Sequence, residues 1–226
     1  MNRFSLIPSL FILFPSMALG DVLIVSRTST LTATHAFQVG FWQESASSNA
    51  LGAVTLSTPR GGTFMSYVTS TDIGGSFSGF IQKPFASSSE SDSRHNTLDV
   101  LFDVVGDPVQ IHFTMSGMSW PPGNSIVRVT DAGDTTGYFD AASISTNPGG
   151  YLAPQEWPNV SHSFELAPGS YHLFAGAGGY RAYGPGGGQP VSGSGSFGFD
   201  LVFVPNTSST AALLVGGSMA LRRRRR

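Results

Sequence analysis

Along most of the chain, hydrophobic and polar residues alternate with a period of two, which is typical of a half-buried β-strand. The segment TLDVLFDVV turns Asp99 and Asp103, with Leu101 between them, away from its apolar face, which consists of Leu98, Val100, Phe102 and Val104. After a Gly-Asp-Pro turn at 106–108, VQIHFTMSG alternates in the same way, with Val109, Ile111, Phe113 and Met115 facing in. We expect these two strands to pair as a hairpin.

The same pattern predicts short strands at 22–26, 125–130, 161–166 and 170–175, the last two joined as a hairpin by the Ala-Pro-Gly turn at 167–169. It predicts a closing strand, SFGFDLVFV, whose inward residues are Phe197, Phe199, Leu201 and Phe203. Between the two ends of the chain no stripe of helical period is free of Gly and Pro. The prediction is an all-β fold, an antiparallel β-sandwich of jelly-roll-like arrangement, in one domain of residues 21–204. The strand order cannot be derived from the pattern.

Two segments are predicted to be long loops. Residues 87–93 are a polar run rich in serine, and residues 176–195 are nearly half glycine and carry Tyr180, Arg181 and Tyr183. The second loop is interpreted as a surface insertion or as the frame of a binding face. The apolar stretch at 37–42 is assigned to the core or to a strand.

The first 20 residues read as a secretory signal peptide. Arg3 supplies the positive charge, an apolar stretch covers 4–19, and Ala18-Leu19-Gly20 offers small residues for cleavage between Gly20 and Asp21. Pro8 and Pro15 interrupt the apolar stretch, which disfavours a membrane-spanning helix.

The C-terminal segment 205–226 has three parts. A turn at Val204-Pro205-Asn206 and a polar spacer precede an apolar run at 211–221, and the chain closes with the arginines Arg222, Arg223, Arg224, Arg225 and Arg226. An eleven-residue helix at about 1.5 Å per residue reaches only about half of a hydrocarbon core of about 30 Å, so the run is a weak anchor. The arginines resist translocation and predict a cytoplasmic C-terminus. An ordinary C-terminal anchor is the alternative.

This order of turn, apolar run and arginine cluster resembles the PEP-CTERM sorting signal of bacterial surface proteins, in a planctomycete-like variant; the tail is also called an ice-binding protein C-terminal domain. The resemblance covers about the last tenth of the chain, and Val204-Pro205-Asn206 stands where the family has Pro-Glu-Pro. It implies recognition and cleavage by an exosortase during export to the cell envelope, the cell surface or the extracellular matrix, with a membrane-associated precursor.

The net charge of the domain between these two end segments limits which classes of partner it can bind. Arg3 and the five terminal arginines are half of the 12 basic residues, so residues 21–204 hold six basic against 14 acidic residues, a net charge of −8. A phosphate backbone calls for a basic face, so nucleic acid is excluded as a partner. The chain has no cysteine, which excludes disulfides and thiolate metal sites.

Metal sites are weighed first among the candidate chemistries. His162 and His172 would meet across their predicted hairpin, and His112 could join them in a zinc site, whereas His35 and His95 belong to no such pattern. Solvent-facing histidines are the commoner explanation. The segment Asp131-Ala132-Gly133-Asp134, with Asp140, would suit a structural calcium ion, although turns favour the same residues.

Carboxylates and tryptophans are the remaining candidates. Asp99 and Asp103, with Glu165 or Glu156, would form a carboxylate pair for glycoside hydrolysis, or simply solubilise an outward face. The tryptophans suited to stacking on sugar rings are Trp42, Trp120 and Trp157, whose alternative role is packing at the edge of the core. The sequence has no nucleophile elbow and no phosphate-binding loop.

These observations favour an exported structural or adhesive protein that is not an enzyme and has no catalytic or cofactor site. Its expected partners are the secretion machinery, an exosortase-like enzyme and extracellular polysaccharide. The alternatives are a carbohydrate-binding β-sandwich module and, less favoured, a secreted hydrolase. Ice binding is not expected, because no ordered, flat, threonine-rich face is visible in the pattern.

Overall fold

A computed structural model describes residues 20–37, 40–59, 62–79, 91–120, 124–144, 155–183 and 190–205. In this part of the chain, twelve strands form two antiparallel sheets that pack as a sandwich, which confirms the predicted all-β class. Sheet A contains β1 (Asp21–Phe37), β2 (Gly40–Ser48), β6 (Ser91–Val105), β8 (Asn124–Asp131), β9 (Gly137–Ile144) and β11 (Gly169–Tyr183). Sheet B contains β3 (Gly52–Thr58), β4 (Gly62–Val68), β5 (Asp72–Ser78), β7 (Val109–Trp120), β10 (Gln155–Leu166) and β12 (Pro190–Pro205).

The strand order follows from the pairing of backbones. Sheet A runs β2-β1-β6-β11-β8-β9, and sheet B runs β3-β4-β5-β12-β7-β10. The two sheets are continuous because β12 belongs to both. Its first residues pair with the end of β11, Pro190 opposite Tyr183, and its later residues lie between β5 and β7.

The inward faces are those that the alternation predicts. The predicted inward residues of β6, β7 and β12 are all buried, none of them more than 5% exposed. Aromatic rings fill the middle of the sandwich: the Phe77 ring stacks on that of Phe197 at 4.8 Å and lies 4.8 Å from that of Phe64. Hydrophobic burial of this kind is the main stabilising contribution to a chain without disulfides.

The two predicted hairpins are wrong. β6 lies in sheet A between β1 and β11, whereas β7 lies in sheet B between β12 and β10. The turn at 106–108, where Gly106 has a φ of 77°, therefore carries the chain from one sheet to the other. The turn at 167–169 does the same between β10 and β11. An alternating pattern indicates which face of a strand is buried, but a short turn fits an arch between sheets as well as a hairpin.

Three predicted segments differ in extent. The strand predicted at 22–26 is the start of a 17-residue strand that continues to Phe37. Its later outward residues are polar, which hid the continuation from the hydrophobic pattern. The predicted glycine loop is largely strand: β11 continues to Tyr183 and β12 resumes at Pro190, since small residues still pair their backbones. Of the serine run at 87–93, residues 91–93 belong to β6, and 87–90 lie outside the described residues. Of residues 37–42, Phe37 ends β1 and residues 40–42 begin β2, and 38–39 lie outside the described residues.

Arg27 is a buried cation that joins the two sheets. Its side chain on β1 is 2% exposed. Its Nη1 donates to the carbonyl oxygens of Ala50, at 2.6 Å, and Gly52, at 2.7 Å. Its Nη2 donates to Ser66 on β4, to Oγ at 2.5 Å and to the carbonyl oxygen at 3.3 Å, and its Nε donates to Ser29 Oγ at 3.1 Å. The fork of Arg27 therefore holds β1 to β4 and to the connection between β2 and β3.

Candidate functional site

An open depression of about 470 Å³ lies on the outer face of sheet B, in the range of small-molecule sites. Its lining comes from three neighbouring strands: Thr114, Met115 and Ser116 of β7, Ser161 of β10, and Gly198, Phe199 and Asp200 of β12. In the register of the sheet, Thr114 stands between Ser161 and Asp200, and Ser116 stands opposite Gly198. Met115 and Phe199 point into the core, so the outward lining is hydroxyls, one glycine and one carboxylate.

Glycine makes the depression possible. A Cβ at Gly198 would meet no atom closer than 3.7 Å, so the missing side chain leaves open space between β5 and β7. At Gly74, opposite Asp200 on β5, the corresponding space is filled: a Cβ there would lie 2.3 Å from the Tyr67 hydroxyl oxygen. Tyr67 of β4 thus reaches over β5 towards Asp200, which lines the depression.

The Tyr67 hydroxyl donates a hydrogen bond to the Asp200 carboxylate. Burial of the phenol, the negative charge of Asp200, this hydrogen bond and the charge of Asp72 raise the pKa of Tyr67 to about 12. Tyr67 is therefore a neutral donor at physiological pH. Oδ1 of Asp200 is buried and has no hydrogen-bond partner among the described residues. A buried acceptor without a donor is unusual in a folded protein and calls for an explanation.

A second polar cluster lies on the outer face of sheet A around His172. Its Nδ1 is 2.8 Å from Asp134 Oδ1, and its Nε2 is 3.1 Å from Asp99 Oδ1. Burial opposes protonation, but the hydrogen bonds and charges of Asp134 and Asp99 outweigh it and raise the pKa of His172. Both ring nitrogens face carboxylates, so the cluster acts as an ionic clasp across β6, β11 and the β8–β9 turn.

The predicted calcium segment is this β8–β9 turn, and its carboxylates bond within the protein. Asp131 Oδ1 accepts hydrogen bonds from the backbone nitrogens of Thr135, at 2.6 Å, and Thr136, at 3.1 Å, and Asp134 Oδ1 accepts one from Thr130 Oγ1 at 2.6 Å. A hydrogen bond from the Thr135 hydroxyl, together with these backbone bonds, lowers the pKa of Asp131, and the bonds from Thr130 and His172 lower the pKa of Asp134. Asp140 stands opposite Arg128 on β9. Among the described residues, no group of three His, Asp or Glu side chains could hold a metal ion.

The three-histidine site is contradicted, because the histidines lie on three different surfaces. His112 is on the outer face of sheet B, where its Nδ1 lies 2.8 Å from Ser163 Oγ. His162 shares the side of Phe113 at the edge of sheet B and stacks on Phe164 at 5.8 Å. His172 is on the outer face of sheet A. The other two histidines do not join any of these three. His95 is exposed on β6, and His35 contacts Asp92 and stacks on Trp42.

Of the predicted carboxylate pairs, the one with Glu165 is not formed. Asp99 and Asp103 share the outer face of sheet A, where Asp103 Oδ1 accepts a hydrogen bond from Ser170 at 2.6 Å. Glu165 is on the outer face of sheet B, on the opposite side of the molecule. The side chain of Glu156 lies outside the described residues.

The aromatic candidates are placed as follows. Trp42 faces the inside of the sandwich, with its ring 5.6 Å from that of His35. The side chains of Trp120 and Trp157 lie outside the described residues, as do those of Tyr180, Arg181 and Tyr183.

A row of threonines lies on β1, although the sequence pattern was not interpreted as a threonine-rich face. Every second residue from Thr28 to Thr34 on β1 is a threonine, and these side chains share the outer face of sheet A. Thr30 Oγ1 is 2.6 Å from Thr97 Oγ1 of β6, and Ser47 of β2 stands opposite Thr30 on the other side. The signal in the sequence is TSTLTAT at 28–34, where threonine alternates with Ser29, Leu31 and Ala33.

The predicted processing positions fall at the two ends of the sandwich. Gly20 is buried against the carbonyl of Asp107, and Asp21 begins β1. Val204 and Pro205 end β12, paired with Gln110 and Val109. Residues 1–19, Asn206 and the arginines at 222–226 lie outside the described residues. Within those that are described, no helix is long and apolar enough to cross a membrane.

No known protein family and no curated protein matches this chain. Two similar solved structures are "Structure of infectious bursal disease virus Gx strain", with a TM-score of 0.28 and 11% identity, and its counterpart from the Gt strain, with a TM-score of 0.26 and 10% identity. Each covers 84% of this chain, which spans 58% of the length of the viral chain. A likeness at this level assigns neither fold nor function.

Proposed function

We propose that this protein is exported and delivered to the cell envelope, the cell surface or the extracellular matrix by a PEP-CTERM-like sorting tail, where its jelly-roll-like β-sandwich has a structural or adhesive role and no catalytic activity. The order of turn, apolar run and arginine cluster at 204–226 carries this proposal. Its partners are the secretion machinery and an exosortase-like enzyme. The N-terminal signal peptide supports it, since a surface-sorting tail requires an exported precursor.

The arrangement of the sandwich is consistent with removal of both ends. Its first strand begins at Asp21 and its last ends at Pro205, so the paired strands lie between the two predicted cleavage regions. The twelve described strands all lie within residues 21–205.

The direct test is the intact mass of the protein isolated from its native envelope fraction. We expect a mass that lacks residues 1–20 and everything beyond about Pro205. A mass that still includes Arg226 would show that the tail is a plain anchor.

A second test replaces Arg222 to Arg226 by serine. We expect this variant to be found free in the medium or held in the periplasm, because the tail has lost the charge that stops translocation. The matched control replaces the same five residues by lysine, which keeps the charge and should keep the surface location. Surface placement of the serine variant equal to that of the unaltered protein would refute the sorting role.

A further inference from the structure

We propose that the depression on the outer face of sheet B binds a neutral saccharide, with Asp200 as the central hydrogen-bond acceptor and Gly198 as the floor. This inference does not depend on export or on cleavage of the tail. It rests on the shape of the depression, on the unpaired carboxylate oxygen and on the balance of charge around it.

The polar groups of the depression suit a ligand with many hydroxyls. Thr114, Ser116 and Ser161 each offer one hydroxyl donor and two acceptor lone pairs, and all three side chains are exposed. Asp200 adds a charged acceptor, which forms stronger hydrogen bonds than a neutral one. Hydroxyls of a sugar are donors and acceptors at once, so they match this mixed lining.

The unpaired oxygen of Asp200 gives the ligand its main contact. Tyr67 supplies one hydrogen bond to the carboxylate, and Oδ1 is left buried without a donor. The terminal torsion of an aspartate is broad, so a modest rotation turns a carboxylate oxygen into the depression. A sugar hydroxyl that donates to it satisfies an acceptor that is otherwise desolvated and unpaired.

Gly198 supplies an apolar floor. Its backbone is open to the depression and a side chain there would meet nothing within 3.7 Å, so the C–H face of a sugar ring can lie flat against the sheet. A volume of about 470 Å³ leaves room for a small saccharide unit rather than for a macromolecular surface.

The charge around the depression favours a neutral saccharide over an acidic sugar, a phosphate or a calcium ion. Asp200 and the nearby Asp72 give the site a negative field, and residues 21–204 carry a net charge of −8, so an acidic sugar or a phosphate would be repelled. A calcium ion takes six to eight oxygens, usually from several carboxylates, whereas Asp200 is the one carboxylate that lines the depression.

The test is calorimetric titration of the purified full-length chain, in detergent, with maltohexaose, cellohexaose, mannohexaose and xylohexaose. We expect one of them to bind with a dissociation constant in the range of about 0.1–1 mM, as a shallow site allows. Asp200→Asn should weaken that binding at least tenfold, because the charged acceptor is lost. Gly198→Val should abolish it, because the side chain fills the floor without removing a hydrogen bond.

The matched control is Asp103→Asn, which makes the same chemical change on the outer face of sheet A, where Asp103 accepts a hydrogen bond from Ser170. It should leave the titration unchanged, and all three variants should unfold cooperatively. The proposal is overturned if none of the four sugars binds, if binding survives both Asp200→Asn and Gly198→Val, or if CaCl2 raises the unfolding temperature of the unaltered chain but not of Asp200→Asn.

Discussion

Arg27 shows how one residue can hold two sheets together through hydrogen bonds to neutral groups. The hydrogen bonds that it makes with the described residues all end on neutral oxygens, and burial lowers the pKa of its guanidinium. Such a cation is tolerated because each donor of the fork has an acceptor. The register of β1 shifts between Ile24 and Ser26, so the alternation that begins at Val22 does not mark Arg27 as an inward residue. Apart from Ser29, its acceptors lie 23 to 39 residues away, and sequence alone could not supply them.

Replacing Arg27 by methionine should therefore destabilise the protein. The change removes the Arg27 donor from the carbonyl oxygens of Ala50, Gly52 and Ser66 and, among the described residues, leaves the Ser29 and Ser66 hydroxyls with only each other, at 3.2 Å. We expect a loss of about 3 kcal/mol or more in the free energy of unfolding. Denaturant unfolding would measure it. Arg27→Lys should lose less, and Arg128→Met, on the outer face of sheet A, should change stability by less than about 1 kcal/mol. Equal stability of Arg27→Met and the unaltered protein would contradict the role given to the fork.

The ionic clasp at His172 predicts a pH dependence of stability. The folded-state pKa is raised above the unfolded value of about 6.5, so protonation favours the folded state. The stabilisation is fully present below about pH 6.5 and is lost as the pH rises through the folded pKa. We expect the unfolding temperature to fall between about pH 6 and pH 8, with a slope that His172→Gln removes.

The carboxylate of Asp134 sets the lower limit of the pH range in which the clasp stabilises the fold. Thr130 and His172 lower the pKa of Asp134, whose stabilisation is lost as the pH falls through its folded pKa, below about pH 4. His112→Gln, on the outer face of sheet B and away from these aspartates, is the matched control and should keep the slope between pH 6 and pH 8. An unchanged slope in His172→Gln would show that the clasp does not stabilise the fold.

At the scale of elements, a close approach between β5 and β11 depends on glycine. A Cβ at Gly79, just after β5, would lie 2.3 Å from the backbone of Gly178 and Gly179 in β11. Next to this contact Asn96 Nδ2 donates to the carbonyl oxygen of Ser78 at 2.6 Å. The glycines predicted to form a loop are thus the residues that let β11 pack tightly.

Gly79→Ala should consequently destabilise the protein by about 1–3 kcal/mol, as expected when an extra methyl group is forced into packed backbone. Gly137→Ala is the matched control, since a Cβ at Gly137 would meet nothing within 4 Å, and it should change stability by less than about 0.5 kcal/mol. Chemical denaturation of both variants would measure the difference. Equal stabilities would show that the two sheets can separate at this point without cost.

Much of each element is predictable from sequence, and much of their assembly is not. The inward faces of β6, β7 and β12 follow from alternation alone, because a period of two specifies the face of a strand. The pairing partners do not follow, since the turns at 106–108 and 167–169 join strands of different sheets. The depression could not be predicted from sequence for the same reason. Alternation places Thr114, Gly198 and Asp200 on the outward face, but that they are neighbours depends on the strand order β5-β12-β7-β10.

For the whole molecule, the strands from Asp21 to Pro205 contain the described core. We expect a chain of residues 21–205 to fold cooperatively, with an unfolding temperature within a few degrees of that of the full chain. A chain of residues 21–195 should not fold, because it lacks Phe197, Phe199, Leu201 and Phe203 and leaves β5 and β7 without the strand between them. Circular dichroism during heating would separate the two. Failure of residues 21–205 to fold would mean that an end segment is part of the folding unit.

The position of β12 has a mechanical consequence. If the tail holds the protein to a membrane or an envelope, drag on the domain is transmitted through the five residues at 206–210, which span at most about 18 Å at 3.3–3.6 Å per residue. Tension then runs along β12, whose hydrogen bonds to β5 and β7 are loaded in shear on both sides at once. The strand under tension is the one that belongs to both sheets. Its hydrogen bonds therefore share the force with β5, β7 and β11 rather than with one neighbour.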